Sequence, residues 1–348
     1  MKVRALSVCL AVCLCLTALC LAACGTGKKS YSRQSFDTFD TVTTVIGYAD
    51  SREEFDRVAD EIFGMLSDYH KLYDIYHSYE GMNNLHTVNE RGAEQAVRVD
   101  GRIINLIRYG VDAYEKTDGR VNIAMGSVLS LWHDCREEAL KDPDRARIPD
   151  AEQLAEAKKH TDIRGIVIEE TEGAVRLTDP LLRLDVGAVA KGYAVEEIAK
   201  GLEEQGIEGY LLNVGGNVRA VGAKPDSTPW LAGVESPEGG EELAARLALT
   251  EEALISSGSY QRVFTVGAQS YHHIIDPDTA MPADRGYTLV SVVCKSSARA
   301  DVLSTALFCM SLEEGRALVE SLPETEALWV MKDGGQERSS GFGAYEET

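Results

Sequence analysis

Beginning at Ser51, apolar side chains return every three or four positions, at Phe55, Val58, Ile62, Met65 or Leu66, and Tyr69. That spacing gathers them on one face of a helix, and Ser51 with Glu54 three residues later supplies the reciprocal cap that starts it. Residues 36–48, just before, are rich in Thr, Val and Ile and read as one strand. The helical spacing recurs at Ile103, Ile104, Ile107, Val111 and Tyr114, which predicts a second helix over 101–116 that ends near Gly119. Between the two, residues 72–89 keep no period and carry Tyr73, Tyr76, His77, Tyr79, Asn83 and Asn84. Such a loop can hold a flat ring with its aromatic and amide groups, or simply pack half-buried on the surface.

Farther along the pattern shortens. Strands are predicted at 121–124, 165–169, 174–177, 210–214, 218–221, 230–235, 246–250, 253–256, 262–266, 270–275, 286–295 and 327–331. Helices fall between them: a brief one after Gly126, a long one from Gly187 to about Gln205, a buried one over 299–310, and a last one opened by Ser311 and Glu314. The charged stretch 136–160, with Pro143 and Pro149, reads as loop and solvated helix. Helices and mainly antiparallel strands in mixed order predict an α+β fold.

Composition adds two constraints. At 44% hydrophobic over 348 residues a sizeable core is expected. A formal charge of -21 repels phosphate, so nucleic acid is excluded as a partner, and a dinucleotide would need a local cationic or metal-filled site set in an acidic body.

The N-terminus carries its own signal. Lys2 and Arg4 precede an apolar run over 5–21, too short for a comfortable span, which ends Leu21-Ala22-Ala23-Cys24. This predicts a lipoprotein signal over 1–23, with Cys24 as the lipid-modified first residue on the extracytoplasmic face of the membrane. An ordinary signal peptide cut after Ala23 is the alternative. A tether over 24–35, one domain over 36–331 and a flexible tail over 332–348 complete the expected organisation. The leader removes Cys9, Cys13, Cys15 and Cys20, and the remaining Cys135, Cys294 and Cys309 form no C-x-x-C pair. They read as small buried apolar residues.

The stretch Leu184-Asp185-Val186-Gly187-Ala188-Val189-Ala190-Lys191-Gly192-Tyr193-Ala194 predicts a short strand, a glycine turn and a helix. A helix start leaves N–H groups for an anion, and Lys191 adds a mobile cation. Lys191 precedes Gly192, however, and no Ser or Thr follows in the Walker position, so these residues alone leave the ligand open.

The stretch resembles the L-D-x-G-x-x-A-K-G-Y-A block of the ApbE family, the FAD:protein FMN transferases, and other blocks agree in order. These are Thr117-Asp118-Gly119 with Ala124-Met125-Gly126, then Asn213-Val214-Gly215-Gly216-Asn217, His273-Ile274-Ile275-Asp276-Pro277, and Ala300-Asp301-Val302-Leu303-Ser304-Thr305. The resemblance implies a T-fold-like architecture and a magnesium-dependent enzyme. That enzyme would move FMN from FAD to a threonine hydroxyl of an exported protein carrying an S/T-G-A-T type motif, with release of AMP. It implies FAD contacts at Val42, Tyr76, Ala124, Met125, Gly126, Asp185, Lys191 and Ile275. Mg2+ is implied on Asp301, Thr305 and the Ala188 carbonyl, with Ser304 as a further candidate, and the chemistry on His273 and Asp301.

Read without the family, the same residues allow plainer accounts. Asp301 and Thr305 share a helix face as hard ligands would, but a helix start with Asp301 near the dipole explains them more simply. His272 and His273 stand where a strand meets a proline turn, an ordinary place for a structural histidine; the resemblance selects His273 as the group that takes a proton from the incoming hydroxyl or orients the pyrophosphate. Asp185 and Lys191 also fit as surface charges. Gly126 is expected to let backbone approach a ligand. Ala280 departs from the family pattern H-x-I-D-P-x-T-G, where glycine is usual. Two other functions stay open: an FAD hydrolase using water as acceptor at the same site, and a flavin-binding lipoprotein without catalysis.

Overall fold

The computed structural model describes residues 27–240, 242–260 and 262–347, so Cys24 and the leader lie outside the described residues. Eight strands form one antiparallel sheet whose order follows the chain: β1 (Lys29–Thr38), β2 (Thr41–Ala49), β3 (Tyr210–Val214), β4 (Asn217–Val221), β5 (Ala253–Gly258), β6 (Tyr287–Cys294), β7 (Thr325–Met331) and β8 (Gln336–Arg338). The helices are α1 (Arg52–Tyr73), α2 (Leu85–Arg91), α3 (Gly101–Lys116), α4 (Gly126–Lys141), α5 (Ala151–Ala157), α6 (Ala190–Glu204), α7 (Ser297–Cys309) and α8 (Leu312–Glu320). The α+β expectation holds.

Both faces of the sheet are covered, which explains its nearly continuous apolar strands. On β6, Val290, Val292 and Cys294 join the core under the helices, whereas Leu289 and Val293 pack the opposite way. That second face is closed by the hairpin of Trp230–Glu235 with Leu243–Leu249 and by Phe342. Helix α7 is buried almost all round, because it lies on β5 and β6 with α6 against its other side. Cys135, Cys294 and Cys309 are free and buried, as expected, and burial pushes the Cys309 thiol up to about 12. Among the described residues no helix is long and apolar enough to cross a membrane.

Several expectations are corrected. The single strand over 36–48 is a hairpin: Phe39 and Asp40 take φ of 54° and 50°, the left-handed pair that turns a two-residue hairpin with the right twist. Residues 29–35, expected in the tether, belong to β1. Apart from Phe36 its outward side chains are polar, so the sequence hides an edge strand that places Tyr31 on Phe55, ring centres 5.6 Å apart, and Arg33 on Asp60 at 2.6 Å. The tail expected to be flexible contributes β8 and the wholly buried Phe342.

The loop over 72–89 ends in α2, where Asn84 and Thr87 form a capping box. The helix after Gly126 is long, and it carries the chain to Lys141. Neither 121–124 nor the stretch before Gly187 is a strand. Asn89 takes the role of a strand neighbour instead: its side chain accepts from Leu184 N at 2.7 Å and donates to Leu184 O at 2.9 Å.

Candidate functional site

The centre of the site is the crossing of α6 and α7. Gly192 N–H donates to Asp301 Oδ2 at 2.7 Å, and a Cβ on Gly192 would lie 2.3 Å from Asp301 Cβ and 2.6 Å from Ser297 O. Only glycine allows this approach. In a regular helix the same N–H would go to Ala188 O; here Ala188 O accepts no backbone hydrogen bond among the described residues. The anion at this helix start is thus a carboxylate of the chain itself.

Asp301 is 7% exposed, and burial pushes its carboxyl up while Lys191, the Gly192 N–H and the Asn217 amide oppose that shift. Burial likewise pulls the Lys191 ammonium down, against the attraction of Asp301. Lys191 Nζ donates to Gly215 O at 3.0 Å, and Gly215 N donates to Val42 O at 3.0 Å. The Val42 side chain is 43% exposed at the same end of the sheet. Asn217 Nδ2, close to Asp301, is buried without a hydrogen bond among the described residues. Thr305 follows Asp301 by one turn on α7. Ser304 is not open to a ligand, since its hydroxyl donates to Asp301 O at 3.0 Å and meets Ser257 Oγ at 2.9 Å.

A second group of residues stands beside Asp185. Asp185 Oδ1 accepts from Gly187 N at 2.9 Å; burial raises this carboxyl, and Gly187, His133 and Arg262 lower it. Tyr76 is 52% exposed and stacks on His133 with ring centres 4.9 Å apart. Its phenol is pushed up to about 12, first by burial and then by Asp185. Its loop is fixed by Asp74, which accepts from the Tyr76 and His77 main chain and from Tyr79 Oη. Arg262, left-handed at φ 47°, acts electrostatically on Tyr76, Asp185 and Lys191, and so joins the two groups. Sequence reasoning missed His133, Arg262, Asn217 and the contact role of Gly192. Of these only Gly192 and Asn217 stood inside a motif.

Other expected site residues are placed differently. Ala124 and Met125 are buried, and Met125 bridges Arg183. At Gly126, expected to make room for a ligand, the close approach is to the chain itself, since Gly126 N donates to Arg183 O at 2.9 Å and a Cβ would lie 2.6 Å from that oxygen. The Ile275 side chain is buried with Trp132 and Phe264, which leaves only its main chain for a ligand. His272 is structural: Nδ1 accepts from Ile274 N at 3.3 Å, Nε2 faces Ala283 O at 3.1 Å, and burial lowers its pKa. His273 beside it is exposed.

A model of the ApbE family matches residues 39–329. The chain belongs to the ApbE family. It is 30% identical over 272 residues to the FAD:protein FMN transferase of Treponema pallidum, covering 74% of this chain and 73% of that one. The FAD:protein FMN transferase of Vibrio cholerae is 28% identical over 300 residues, 84% of each chain. The crystal structure of the ApbE protein of Thermotoga maritima superposes with a TM-score of 0.78 at 26% identity, over 92% of this chain and all of that one. The flavin transferase ApbE of Vibrio cholerae gives 0.75 at 25% identity, over 91% of this chain and 99% of that one.

Within the ApbE pattern, Ala280 sits where glycine is usual, and it adopts φ 57°. The turn keeps its form at a cost of about 1 kcal/mol, held by Ala280 N on Asp276 O at 2.8 Å and Trp132 Nε1 on Ala280 O at 2.9 Å. The residues at the helix crossing also offer hard oxygen donors of the kind a divalent cation takes. One buried carboxylate, one hydroxyl a turn away and a carbonyl without a backbone hydrogen bond make an all-oxygen set, which suits magnesium better than zinc. Among the described residues there is no cluster of three or more His, Cys, Asp or Glu side chains that could hold a metal ion of any kind.

Proposed function

We propose that this chain is an FAD:protein FMN transferase that places FMN on a threonine hydroxyl of an exported protein and releases AMP. The observation that carries the reading is Asp301, a buried carboxylate fixed by Gly192 N–H beside Lys191, with Thr305 one turn on, inside the family's own motifs. The exposed Tyr76 and its stacked partner His133 offer an aromatic face to the isoalloxazine. Lys191 and Arg262 supply the positive potential that an acidic body otherwise denies to a pyrophosphate. Mg2+, held by Asp301, Thr305 and the Ala188 carbonyl, would draw charge from the pyrophosphate as it cleaves. His273, which is exposed, takes the proton of the acceptor hydroxyl in this reading. The hydroxyl oxygen forms a bond to the FMN phosphorus, the bond from that phosphorus to the bridging oxygen breaks, and AMP leaves with the electron pair.

Incubation with FAD, MgCl2 and a peptide bearing the S/T-G-A-T motif tests this directly by intact mass. Addition of FMN to the threonine, matched by AMP, is expected. AMP with free FMN and an unmodified peptide would select hydrolysis, and unchanged FAD would remove catalysis altogether.

The reading extends to location, with Cys24 lipidated and the domain held on the extracytoplasmic face. Each acyl methylene contributes about 0.8 kcal/mol to membrane binding, so two or more chains give a stable anchor. Cys24→Ser is expected to shift the protein from the membrane to the soluble fraction. Retention after a high-salt wash would mean that the uncleaved leader is the anchor.

A further inference from the structure

Strand β5 brings two neighbouring serines to opposite faces of the sheet. Ser256 faces away from the helices and pairs with Ser291, hydroxyl to hydroxyl at 2.7 Å. Ser257 continues the face of Ala253 and Ile255 toward α7, where its Oγ lies 2.9 Å from Ser304 Oγ and 3.5 Å from Thr305 Oγ1. Ser304 in turn donates to Asp301 O at 3.0 Å.

Each hydroxyl has one proton, and that count gives the chain a direction. The Ser304 proton is spent on Asp301 O, so the proton between Ser257 and Ser304 belongs to Ser257. Ser257 has none left for Thr305 and can only accept there. The Thr305 hydroxyl is therefore the one able to donate across this 3.5 Å contact, which leaves its lone pairs free on the other side. The usual alternative for a helical threonine is a bond back to the carbonyl four residues earlier. For Thr305 that carbonyl is Asp301 O, which Ser304 already occupies.

We propose that Ser257 is a positioning residue: it receives the Thr305 proton and so presents the Thr305 oxygen, lone pairs outward, to a divalent cation shared with Asp301. The inference rests on the metal-dependent reading above and extends it to a residue on a different element. Ser257 touches neither cation nor flavin. Its contribution is to the orientation of a ligand, an effect that commonly changes metal affinity by about 10- to 100-fold.

The test compares Ser257→Ala with Ser256→Ala, which removes the same hydroxyl from the next residue of the same strand. Binding of Mn2+ alone, without FAD, is followed by electron paramagnetic resonance, and turnover gives the Mg2+ half-saturation and the KM for FAD. Ser257→Ala is expected to weaken Mn2+ binding and raise the Mg2+ half-saturation by about tenfold. The KM for FAD should stay within about twofold, because the hydroxyl chain does not reach the flavin residues. Ser256→Ala should leave all three unchanged, and the two variants should have similar Tm. In a Thr305→Val background the Ser257 effect should vanish, since no hydroxyl remains to be oriented.

Unchanged metal binding in Ser257→Ala, or a full effect that persists in Thr305→Val, would overturn the assignment while the functional reading stands. A wild-type protein that neither binds Mn2+ nor responds to Mg2+ would overturn both.

Discussion

Asp301→Asn is expected to lower kcat by about 10²-fold or more while FAD affinity changes less than tenfold. The substitution keeps the shape and removes the charge. Gly192 N–H still requires an oxygen 2.7 Å away, so the amide must turn its NH2 group to the side the second carboxylate oxygen occupied, where it faces the buried Lys191 field and the cation. A loss of about 3 kcal/mol in transition-state stabilisation corresponds to the stated fall in rate. The flavin contacts proposed above lie on other segments, so KM should move little, and high Mg2+ should restore part of the rate. AMP release measured across a Mg2+ titration checks it. The competing account, Asp301 as a helix-start residue worth about 0.3–1 kcal/mol, is weakened by its position. Ser296 caps α7, and Asp301 lies beyond the first turn. Full Mg2+-dependent turnover in Asp301→Asn would nevertheless remove the metal assignment.

Gly192→Ala should abolish most activity and lower Tm by several degrees, although alanine is ordinarily the better helix former by about 1 kcal/mol. The added methyl would meet Asp301 Cβ at 2.3 Å and the Ser297 carbonyl at 2.6 Å, neither of which is the far end of a flexible side chain. Overpacking of this kind costs about 1–3 kcal/mol, and relief requires α6 and α7 to move apart, which breaks the Gly192 hydrogen bond to Asp301. Gly201, on the same helix, has open space where a Cβ would stand, with nothing within 4 Å, so Gly201→Ala should instead raise Tm slightly. Calorimetry on the pair gives opposite signs if the crossing is as tight as described. Equal stabilisation of both would mean that the helices are not in contact at Gly192.

Regular elements with a strong period were legible in the sequence. The helix over 101–116 and the cap formed by Ser311 and Glu314 appear as read, because local side-chain spacing alone specifies them. The hairpin at Phe39 and Asp40 was not legible, since neither residue favours the left-handed region strongly enough to announce a turn. Asn89 in place of a strand neighbour was equally hidden. A side chain 95 residues away in sequence supplies both hydrogen bonds to Leu184, and no local pattern encodes that. At the site the motif residues Asp301, Lys191 and Gly192 do meet, whereas His133, in the helix after Gly126, and Arg262, at the start of an expected strand, stood in no motif. Gly126 shows the limit of a single letter. Glycine reports a close approach, but only the structure tells that Arg183 makes it.

The early start of β1 sets a short leash. Lys29 is already paired with Ala49, and only residues 25–28 separate it from Cys24. An extended chain covers at most about 3.6 Å per residue, so a lipid on Cys24 would keep this edge of the sheet within about 18 Å of the bilayer surface. That distance is about two Debye lengths at physiological salt, so repulsion between the acidic body and anionic headgroups is largely screened there. Lys28, Lys29 and Arg33 lie at the near end and oppose that repulsion. An enzyme so held does not search the bulk medium. With such an anchor it would serve acceptors that come within reach of the membrane surface, such as the membrane-proximal domains of other anchored proteins.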